Sequence, residues 1–274
     1  MRHRYASWMV MLFGYRHARA LFSESSSRMA AKIAIVGGGI SGCCAAAALA
    51  SAAEVTVFDQ GRRGPGGRAS HRSVRASDKQ IIEDDTSLLR NAESSSTYEF
   101  DHGCQFFRAD SEEMKRIVRQ WCERGWVAPW KGAFGVLPAD NSHAFDFFGI
   151  ASKSSPVYIA LGGMHQLPRH LLQSSRAVVE KGTRVCQIKR KDKQWELFGV
   201  TGNQAFHDTN EAATDLASLG VYDAVVLTDI SSASGSWHRA SAGIPDELLQ
   251  QLPKKVRMPL FSCMIAFEKV CDVF

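Results

Sequence analysis

The sequence predicts an α/β fold, and one stretch near its start carries most of that prediction. Residues 33–36 and 55–58 are short apolar runs of the kind that form buried parallel strands. Gly37, Gly39 and Gly42 follow the first run with the spacing G-x-G-x-x-G, and an alanine-rich helix comes next. Strand, glycine turn, helix and strand in this order predict a Rossmann-like domain with a parallel sheet.

The three glycines of this turn are the residues that binding of a dinucleotide would require at these positions. Gly37 permits the tight turn, Gly39 lets a pyrophosphate approach the backbone, and Gly42 lets the helix pack on the strand. The phosphates would face amides at a helix N-terminus, where the macrodipole favours anions. Asp59 follows the second run about twenty residues after Gly39, where a carboxylate accepts hydrogen bonds from a ribose 2′-hydroxyl. The alternative is a βαβ unit that binds nothing.

A second glycine-rich turn follows the acid. Gly66, Gly67 and Arg68 stand where an NAD dehydrogenase usually has no need of such a turn. An extended FAD needs one, because its pyrophosphate and ribityl chain run past a second loop. Arg68 would neutralise phosphate charge or hold the loop. The alternative is a surface turn with a solvated arginine.

Six segments of the sequence resemble the renalase-like branch of the FAD-dependent amine-oxidase superfamily. They are IAIVGGGISG (33–42), VTVFDQGRRGPGGRAS (55–70), FDHGCQFF (100–107), WCERGWVAPW (121–130), YIALGGMHQLPRHL (158–171) and GTRV (182–185). The first two are common to many flavoproteins, whereas FDHGCQFF and the tryptophan segment are much more specific. FAD is therefore the implied cofactor.

The resemblance implies a role for each motif by its position. The residues that would hold the pyrophosphate are Gly37, Gly39, Ile40, Ser41 and Gly42. Asp59 would bind the adenosine ribose, where related flavoproteins usually carry Glu. The residues that would line the flavin-side phosphate and ribityl chain are Gly66, Gly67 and Arg68. The residues that would lie near the isoalloxazine are Gly103, Cys104, Gln105 and Phe106. Val185, at a strand end, would offer backbone hydrogen bonds to adenine.

The chemistry implied by the resemblance is hydride transfer from a small reduced substrate, a dihydronicotinamide or an amine, to flavin N5. Reoxidation by dioxygen or another acceptor would follow. His102 is the candidate proton handler because it titrates near neutrality, and Gln105 would hydrogen-bond a flavin edge. A buried histidine bonded to backbone is the alternative for His102. Two other functions stay open: flavin binding without turnover, and an NAD(P)-dependent dehydrogenase.

The remaining pattern predicts a cofactor domain over residues 31–107 and 156–229, and an inserted α+β substrate domain with a mixed sheet over 108–155 and 230–274. Residues 70–97 read as a surface insertion without regular structure. Helices are expected over 110–124 and 164–173, and strands over 184–189, 195–200, 222–227 and 261–267. The aromatic residues Trp126, Trp130, Phe134, Phe145, Phe147 and Phe148 would line the substrate domain or simply fill its core. Family members continue into a C-terminal Gly-Asp element, so we expect a C-terminally shortened form.

Charge is unevenly distributed along the chain. Residues 1–28 hold five arginines and one acid, and so carry +4 of the net charge of +5. This leader predicts an organellar transit peptide, chloroplast in preference to mitochondrion. A cytoplasmic protein that starts at Met29 is the alternative. The nearly neutral remainder gives no electrostatic case for nucleic acid, and no apolar segment has the length of a membrane span.

The cysteines predict a reducing compartment. There are seven of them, with no C-x-x-C, so neither disulfides nor a metal site are expected. Cys43 and Cys44 lie on the first helix and would pack as small apolar residues. Cys104 would also pack, with redox sensitivity as its alternative.

Overall fold

The computed structural model describes residues 30–61, 64–69, 71–82, 97–131, 156–202, 205, 215–229, 250 and 263–265. The described residues form two compact units, the first within 30–65 and 171–250 and the second within 66–170 and 263–265. These boundaries differ from all three predicted ones, which lie at residues 107/108, 155/156 and 229/230. The two units are defined by compactness alone, which does not show which of them binds a cofactor or a substrate. The division into a cofactor domain and a substrate domain therefore stays a prediction. The predicted leader, residues 1–28, and the aromatic residues Phe134, Phe145, Phe147 and Phe148 lie outside the described residues.

Strands and helices are numbered here in chain order. They are β1 (Ala31–Val36), α1 (Ile40–Leu49), β2 (Ala53–Asp59), β3 (Arg72–Arg75), β4 (Ile81–Ile82), β5 (Thr97–Phe100), β6 (Phe107–Arg108), α2 (Glu112–Glu123), β7 (Val127–Pro129), β8 (Val157–Ala160), α3 (Gln166–Ser175), β9 (Val178–Lys181), β10 (Thr183–Lys191), β11 (Gln194–Thr201), β12 (Ala217–Tyr222) and β13 (Ala224–Leu227).

The first unit contains a four-stranded parallel sheet in the order β13-β1-β2-β9. Ile35 of β1 pairs with Val57 on one side and with Val226 on the other. This sheet, with α1 between β1 and β2, confirms the predicted α/β fold and its Rossmann-like domain. Because β1 lies between β2 and β13, the strand order reverses beside it, which is where ligands bind in open parallel sheets.

A three-stranded antiparallel sheet, β10-β11-β12, completes the first unit. Val185 was expected at the end of a strand, and this expectation is wrong. It is the third residue of β10, pairs with Gly199, and is only 4 % exposed. Its side chain packs in a core cluster with Val36 and Phe58, because alternate residues of β10 face the apolar interior.

The predicted strand over residues 222–227 is two strands. Asp223 separates β12 from β13, and its carboxylate accepts hydrogen bonds from the backbone N–H of Lys32 (2.8 Å) and the side-chain amide of Gln194 (2.9 Å). These bonds redirect the chain from the antiparallel to the parallel sheet. β13 pairs with β1 in the parallel sheet and is half-buried.

Residues 70–97 were predicted to lack regular structure, and this prediction is wrong for part of the range. β3 pairs with β4 and with β5 in an antiparallel sheet, so this insertion is not simply a loop. The turn between β3 and β4 is closed by a hydrogen bond from Arg75 N–H to Gln80 C=O (2.9 Å). The polar composition hid these strands, which are half-buried rather than part of the apolar core. Residues 83–96 lie outside the described residues.

The helix predicted over residues 110–124 is confirmed as α2. Ser111 caps it by accepting a hydrogen bond from Met114 N–H (3.1 Å), and the first turn is acidic, as the helix dipole favours. Val118 and Trp121 form its buried face. A small antiparallel sheet, β6-β8-β7, lies in the same unit.

The last two predicted elements have different outcomes. The helix predicted over 164–173 is observed as α3, shifted by two residues. Of the strand predicted over 261–267, residues 263–265 are described and have no regular structure, and the others lie outside the described residues. No helix in the described part of the chain has the length and apolarity needed to cross a bilayer.

Candidate dinucleotide-binding site

The first glycine turn connects β1 to α1 at the carboxyl edge of the parallel sheet. Gly37 has a φ of +101°, a backbone conformation that side chains with a Cβ rarely adopt. Its N–H donates to Phe58 C=O (2.9 Å), which ties the turn to β2. A Cβ at Gly42 would overlap the carbonyl oxygen of Gly37. Gly37 and Gly42 are therefore explained by the fold itself.

Gly39 is different, because neither its backbone conformation nor its contacts within the described part of the chain explain it. Its φ of −69° suits any residue, and a Cβ built there meets no atom within 4 Å. The turn thus leaves an open space at one backbone position, against which a molecule could lie in direct contact with the chain. This is the property expected where a pyrophosphate approaches the backbone.

The start of α1 presents backbone amides to that space. Gly39 is the N-cap, no side chain caps the helix, and its first turn contains no acid. Ile40, Ser41 and Gly42 occupy this turn, where N–H groups have no partner within the helix. Uncapped amides and the positive end of the helix dipole together suit an anion.

Asp59 ends β2 beside the same turn and is 8 % exposed. Its Oδ2 accepts a hydrogen bond from Gly38 N–H (2.9 Å), and its Oδ1 accepts one from Gly61 N–H (2.8 Å). Burial raises the pKa of this carboxyl, and the two amide hydrogen bonds counter the effect. The acid predicted to bind ribose is therefore turned into the protein.

Thr228 and Asp229 belong to this site and were missed by the sequence analysis. The Thr228 hydroxyl lies 3.0 Å from Val36 C=O and 2.8 Å from Gly37 C=O, and it can donate to one of them at a time. The backbone N of Asp229 lies 2.9 Å from a Cβ built at Gly37. Both residues directly follow β13, so the rule that ligands bind at carboxyl ends of parallel strands could have found them.

The second glycine turn lies in the second unit. Gly66 is buried, whereas Gly67 and Arg68 are exposed and begin a short 3-10 turn, Gly67–Ala69. A Cβ at Gly103 would overlap the backbone oxygen of Arg68. The structure thus brings Arg68 and the FDHG segment into backbone contact, although they are far apart in sequence.

A cluster of titratable residues adjoins this contact, and sequence reasoning found only part of it. The rings of His71 and His165 stack with centroids 3.4 Å apart. The backbone N–H of Met164 donates a hydrogen bond to the Asp101 carboxylate, and the Met164 nitrogen lies 3.0 Å from each carboxylate oxygen. Burial raises the pKa of Asp101, while the Met164 N–H and the positive charges of His71 and His102 counter that rise. His102 is therefore close enough to Asp101 to interact with it electrostatically.

His165 is the most buried member of this cluster, at 5 % exposure. Burial lowers its pKa from 6.5 to about 4, and the charge of His71 adds to the effect. Its Nε2 lies 2.9 Å from the side-chain amide nitrogen of Gln166, within hydrogen-bonding distance. His165 is thus neutral near pH 7.

The other residues of the FDHGCQFF segment have distinct environments. Gln105 is exposed and Phe106 is half-buried, with its ring 6.1 Å from that of Trp130. The Cys104 thiol donates to Phe106 C=O (3.3 Å). Burial and the charge of Asp101 raise the pKa of Cys104, which disfavours a reactive thiolate.

The first-helix cysteines also hold protonated thiols. Cys43 is fully buried, donates to Gly38 C=O (3.3 Å), and has a pKa raised to about 12 by burial. Burial raises the pKa of Cys44 to about 11. Their predicted packing role is confirmed for Cys43, while Cys44 is half-buried. Within the described ranges, no three His, Cys, Asp or Glu side chains form a group that could hold a metal.

The predicted site residues therefore fall into three places. The first turn and Asp59 lie together in the first unit. The second turn lies with Gly103, Gln105 and Phe106 in the second unit. Val185 lies in β10, an edge strand of the antiparallel sheet, with its side chain buried in the core cluster. Its backbone contact to adenine stays a prediction.

Residues 35–121 match the family model of an NAD(P)-binding Rossmann-like domain. This range contains both glycine turns, Asp59 and the segment around Gly103, and is less than half of the 274-residue chain. The match supports a dinucleotide-binding domain of the type found in oxidoreductases.

Solved structures with detectable similarity differ strongly from this chain in sequence. AlpK is 16 % identical with a TM-score of 0.37, over 73 % of this chain and 31 % of its own. The Diels-Alderase PyrE3, from pyrroindomycin biosynthesis, is 12 % identical with a TM-score of 0.33, over 72 % of this chain and 32 % of its own. Thermovibrio ammonificans THI4 is 14 % identical with a TM-score of 0.39, over 89 % and 73 %. The chain spans about a third of AlpK and PyrE3, and these similarities assign no activity.

Proposed function

We propose that this protein is an FAD-dependent oxidoreductase of the renalase-like type, which oxidises a small reduced substrate. The observation that carries the proposal is the open space at Gly39. A glycine that neither backbone conformation nor packing explains stands beside uncapped helix amides, at the carboxyl edge of a parallel sheet. A dinucleotide pyrophosphate supplies the missing explanation, because it needs both the close approach and the amides.

The second glycine turn favours FAD over a nicotinamide dinucleotide. Arg68 offers an exposed cation for a phosphate, and Gly103 holds the FDHG segment against the backbone of that turn. A nicotinamide dinucleotide bound at the first turn would leave this paired arrangement without a role. The second turn thus supplies a cation and backbone groups of the kind that a flavin nucleotide would use.

Bound flavin would supply the redox chemistry, accepting a hydride from the substrate and passing electrons to dioxygen or another acceptor. The protein would bind, orient and shield. Gly37, Gly39 and the α1 amides would hold the pyrophosphate, while Gly66, Gly67 and Arg68 would hold the ribityl side. A dihydronicotinamide or an amine is the proposed substrate class.

His102 and Gln105 are the proposed groups for proton handling and flavin orientation. His102 lies within electrostatic reach of Asp101, whose pKa its positive charge lowers. Gln105 is exposed and carries an amide that donates and accepts. We expect His102 to take up or release the proton that accompanies substrate oxidation.

An NAD(P)-dependent dehydrogenase is the second candidate, because the family model matched by residues 35–121 bears that description. A dehydrogenase of this kind would also bind the pyrophosphate of its cofactor at the first turn, but its cofactor would not contact the second turn. The two candidates therefore differ in whether Arg68 contributes to cofactor affinity.

The absorbance spectrum of the purified full-length chain distinguishes them. We expect flavin bands in the visible range, released as FAD on denaturation and bleached anaerobically by a dihydronicotinamide or an amine. Arg68→Ala should weaken FAD binding about tenfold, as expected for a lost charge-assisted hydrogen bond. Arg119→Ala is the control, since Arg119 is an exposed arginine on α2. A colourless chain that binds NADH with or without Arg68 would contradict the flavin assignment.

A further inference from the structure

The glycine-rich turn contains one glycine more than dinucleotide binding needs. The spacing G-x-G-x-x-G uses Gly37, Gly39 and Gly42, and leaves Gly38 without a reason. Gly61, just after β2, is likewise outside that pattern. Both glycines contact the same carboxylate, which suggests a common cause.

That common cause is Asp59. A Cβ at Gly38 would lie 2.7 Å from Asp59 Oδ2, and a Cβ at Gly61 would lie 2.7 Å from Asp59 Oδ1. Real Cβ atoms do not approach so closely, so any other residue would displace the carboxylate. Each glycine also donates its N–H to the oxygen it faces. The carboxylate is thus enclosed between two backbone segments.

This enclosure sets Asp59 apart from an acid that reaches outward to a sugar. Aspartate is one methylene shorter than glutamate, and this one is 8 % exposed with each oxygen already accepting an amide hydrogen bond. A buried carboxylate needs such partners, since desolvation without them would be costly. Its position is therefore satisfied by the protein alone.

We infer that Asp59 is a positioning residue that fastens the first glycine turn to the turn after β2, and that it does not recognise the adenosine 2′-hydroxyl. This inference rests on the proposed nucleotide site. Asp59 acts on affinity by holding Gly38, the neighbour of Gly39, in the conformation that leaves the space at Gly39 open.

Two nucleotides that differ by one oxygen test this assignment. ADP and 2′-deoxy-ADP are titrated calorimetrically into the nucleotide-free full chain and into Asp59→Asn. Asparagine has nearly the same shape but only one acceptor oxygen, so one of the two amide bonds is lost. We expect the wild type to bind the two nucleotides within about twofold, and Asp59→Asn to weaken both by the same factor, about five- to tenfold.

A direct ribose contact gives the opposite pattern. The wild type would then bind 2′-deoxy-ADP at least about tenfold more weakly than ADP, and Asp59→Asn would weaken ADP while leaving 2′-deoxy-ADP unchanged. That result overturns the inference. The wild-type ratio decides the question even where Asp59→Asn does not fold.

Amide hydrogen exchange separates this inference from the proposed function. We expect Gly38 and Gly61 to be protected in the ligand-free wild type, and both to exchange faster in Asp59→Asn. If the wild type binds neither nucleotide, the proposed function fails and the exchange rates still decide the role of Asp59. Unchanged exchange at both glycines in the variant would contradict the fastening role.

Discussion

The two glycine-rich turns of this protein differ in what their glycines do. In the first turn the groups that would meet a ligand are backbone amides and the open space at Gly39. At the second turn, Gly103 of the FDHG segment permits contact with the backbone of Arg68, and the stacked rings of His71 and His165 lie in the same unit. A glycine therefore indicates a ligand only where neither packing nor backbone conformation explains why a glycine is needed.

The largest effect that this comparison predicts is on stability, at Gly42. Gly42→Ala should destabilise the first unit by about 3 kcal/mol or more, because the new methyl overlaps the Gly37 carbonyl. Helix propensity alone would favour alanine by about 1 kcal/mol. Urea unfolding measures the change. The matched control is Gly39→Ala, which adds the same methyl where nothing meets it and should cost less than about 1 kcal/mol. Equal losses in the two variants would refute the distinction.

The second unit should respond similarly at Gly103. Gly103→Ala should cost about 2 kcal/mol, because the methyl overlaps the Arg68 carbonyl and forces the FDHG segment away. Gln105→Ala, at a neighbouring exposed side chain, should change the unfolding free energy by less than about 0.5 kcal/mol. A neutral Gly103→Ala would show that the two segments are not in contact.

The stacked histidines predict a pH dependence specific to the second unit. His165 has a folded pKa of about 4, lowered from 6.5, so between these values the unfolded chain binds a proton that the folded chain excludes. Stability should therefore fall by about 1–3 kcal/mol as the pH is lowered from 6.5 towards 4. Denaturant unfolding at several pH values measures this slope. His165→Asn should flatten it, and an unchanged slope in that variant would contradict the account.

The smallest predicted effect concerns Thr228, which joins the end of β13 to the first turn. Thr228→Val removes the hydroxyl that donates to Val36 or Gly37 and should cost about 1 kcal/mol. Thr228→Ser keeps the hydroxyl and is the matched control. Thermal unfolding of the two variants gives the comparison, and equal melting temperatures would show that the hydroxyl contributes nothing.

The difference between the turns also explains what the sequence could reveal. The first turn was predictable because its strand, glycines, helix and acid are consecutive, and local spacing fixes their geometry. The orientation of Asp59 was not predictable, since it depends on Gly38 and Gly61 approaching the same carboxylate in three dimensions.

The second unit was harder to predict from the sequence, because its neighbouring residues are also distant along the chain. His71, Asp101 and His165 come from distant parts of the chain, and no spacing rule connects them. The β3–β5 sheet was missed because β3 and β5 are short, rich in polar residues and only half-buried. Val185 was misplaced because a strand end was assumed where β10 continues.

The most direct test of the central claim is the affinity of FAD for Gly39→Ser, measured by quenching of flavin fluorescence. Serine is a favourable N-cap residue, so this variant should be at least as stable as the wild type. Its side chain would occupy the space opposite the α1 amides, and FAD binding should weaken at least about tenfold, or 1.4 kcal/mol. Equal affinities, or no binding of FAD to the wild type, would contradict the assignment of this space to the pyrophosphate.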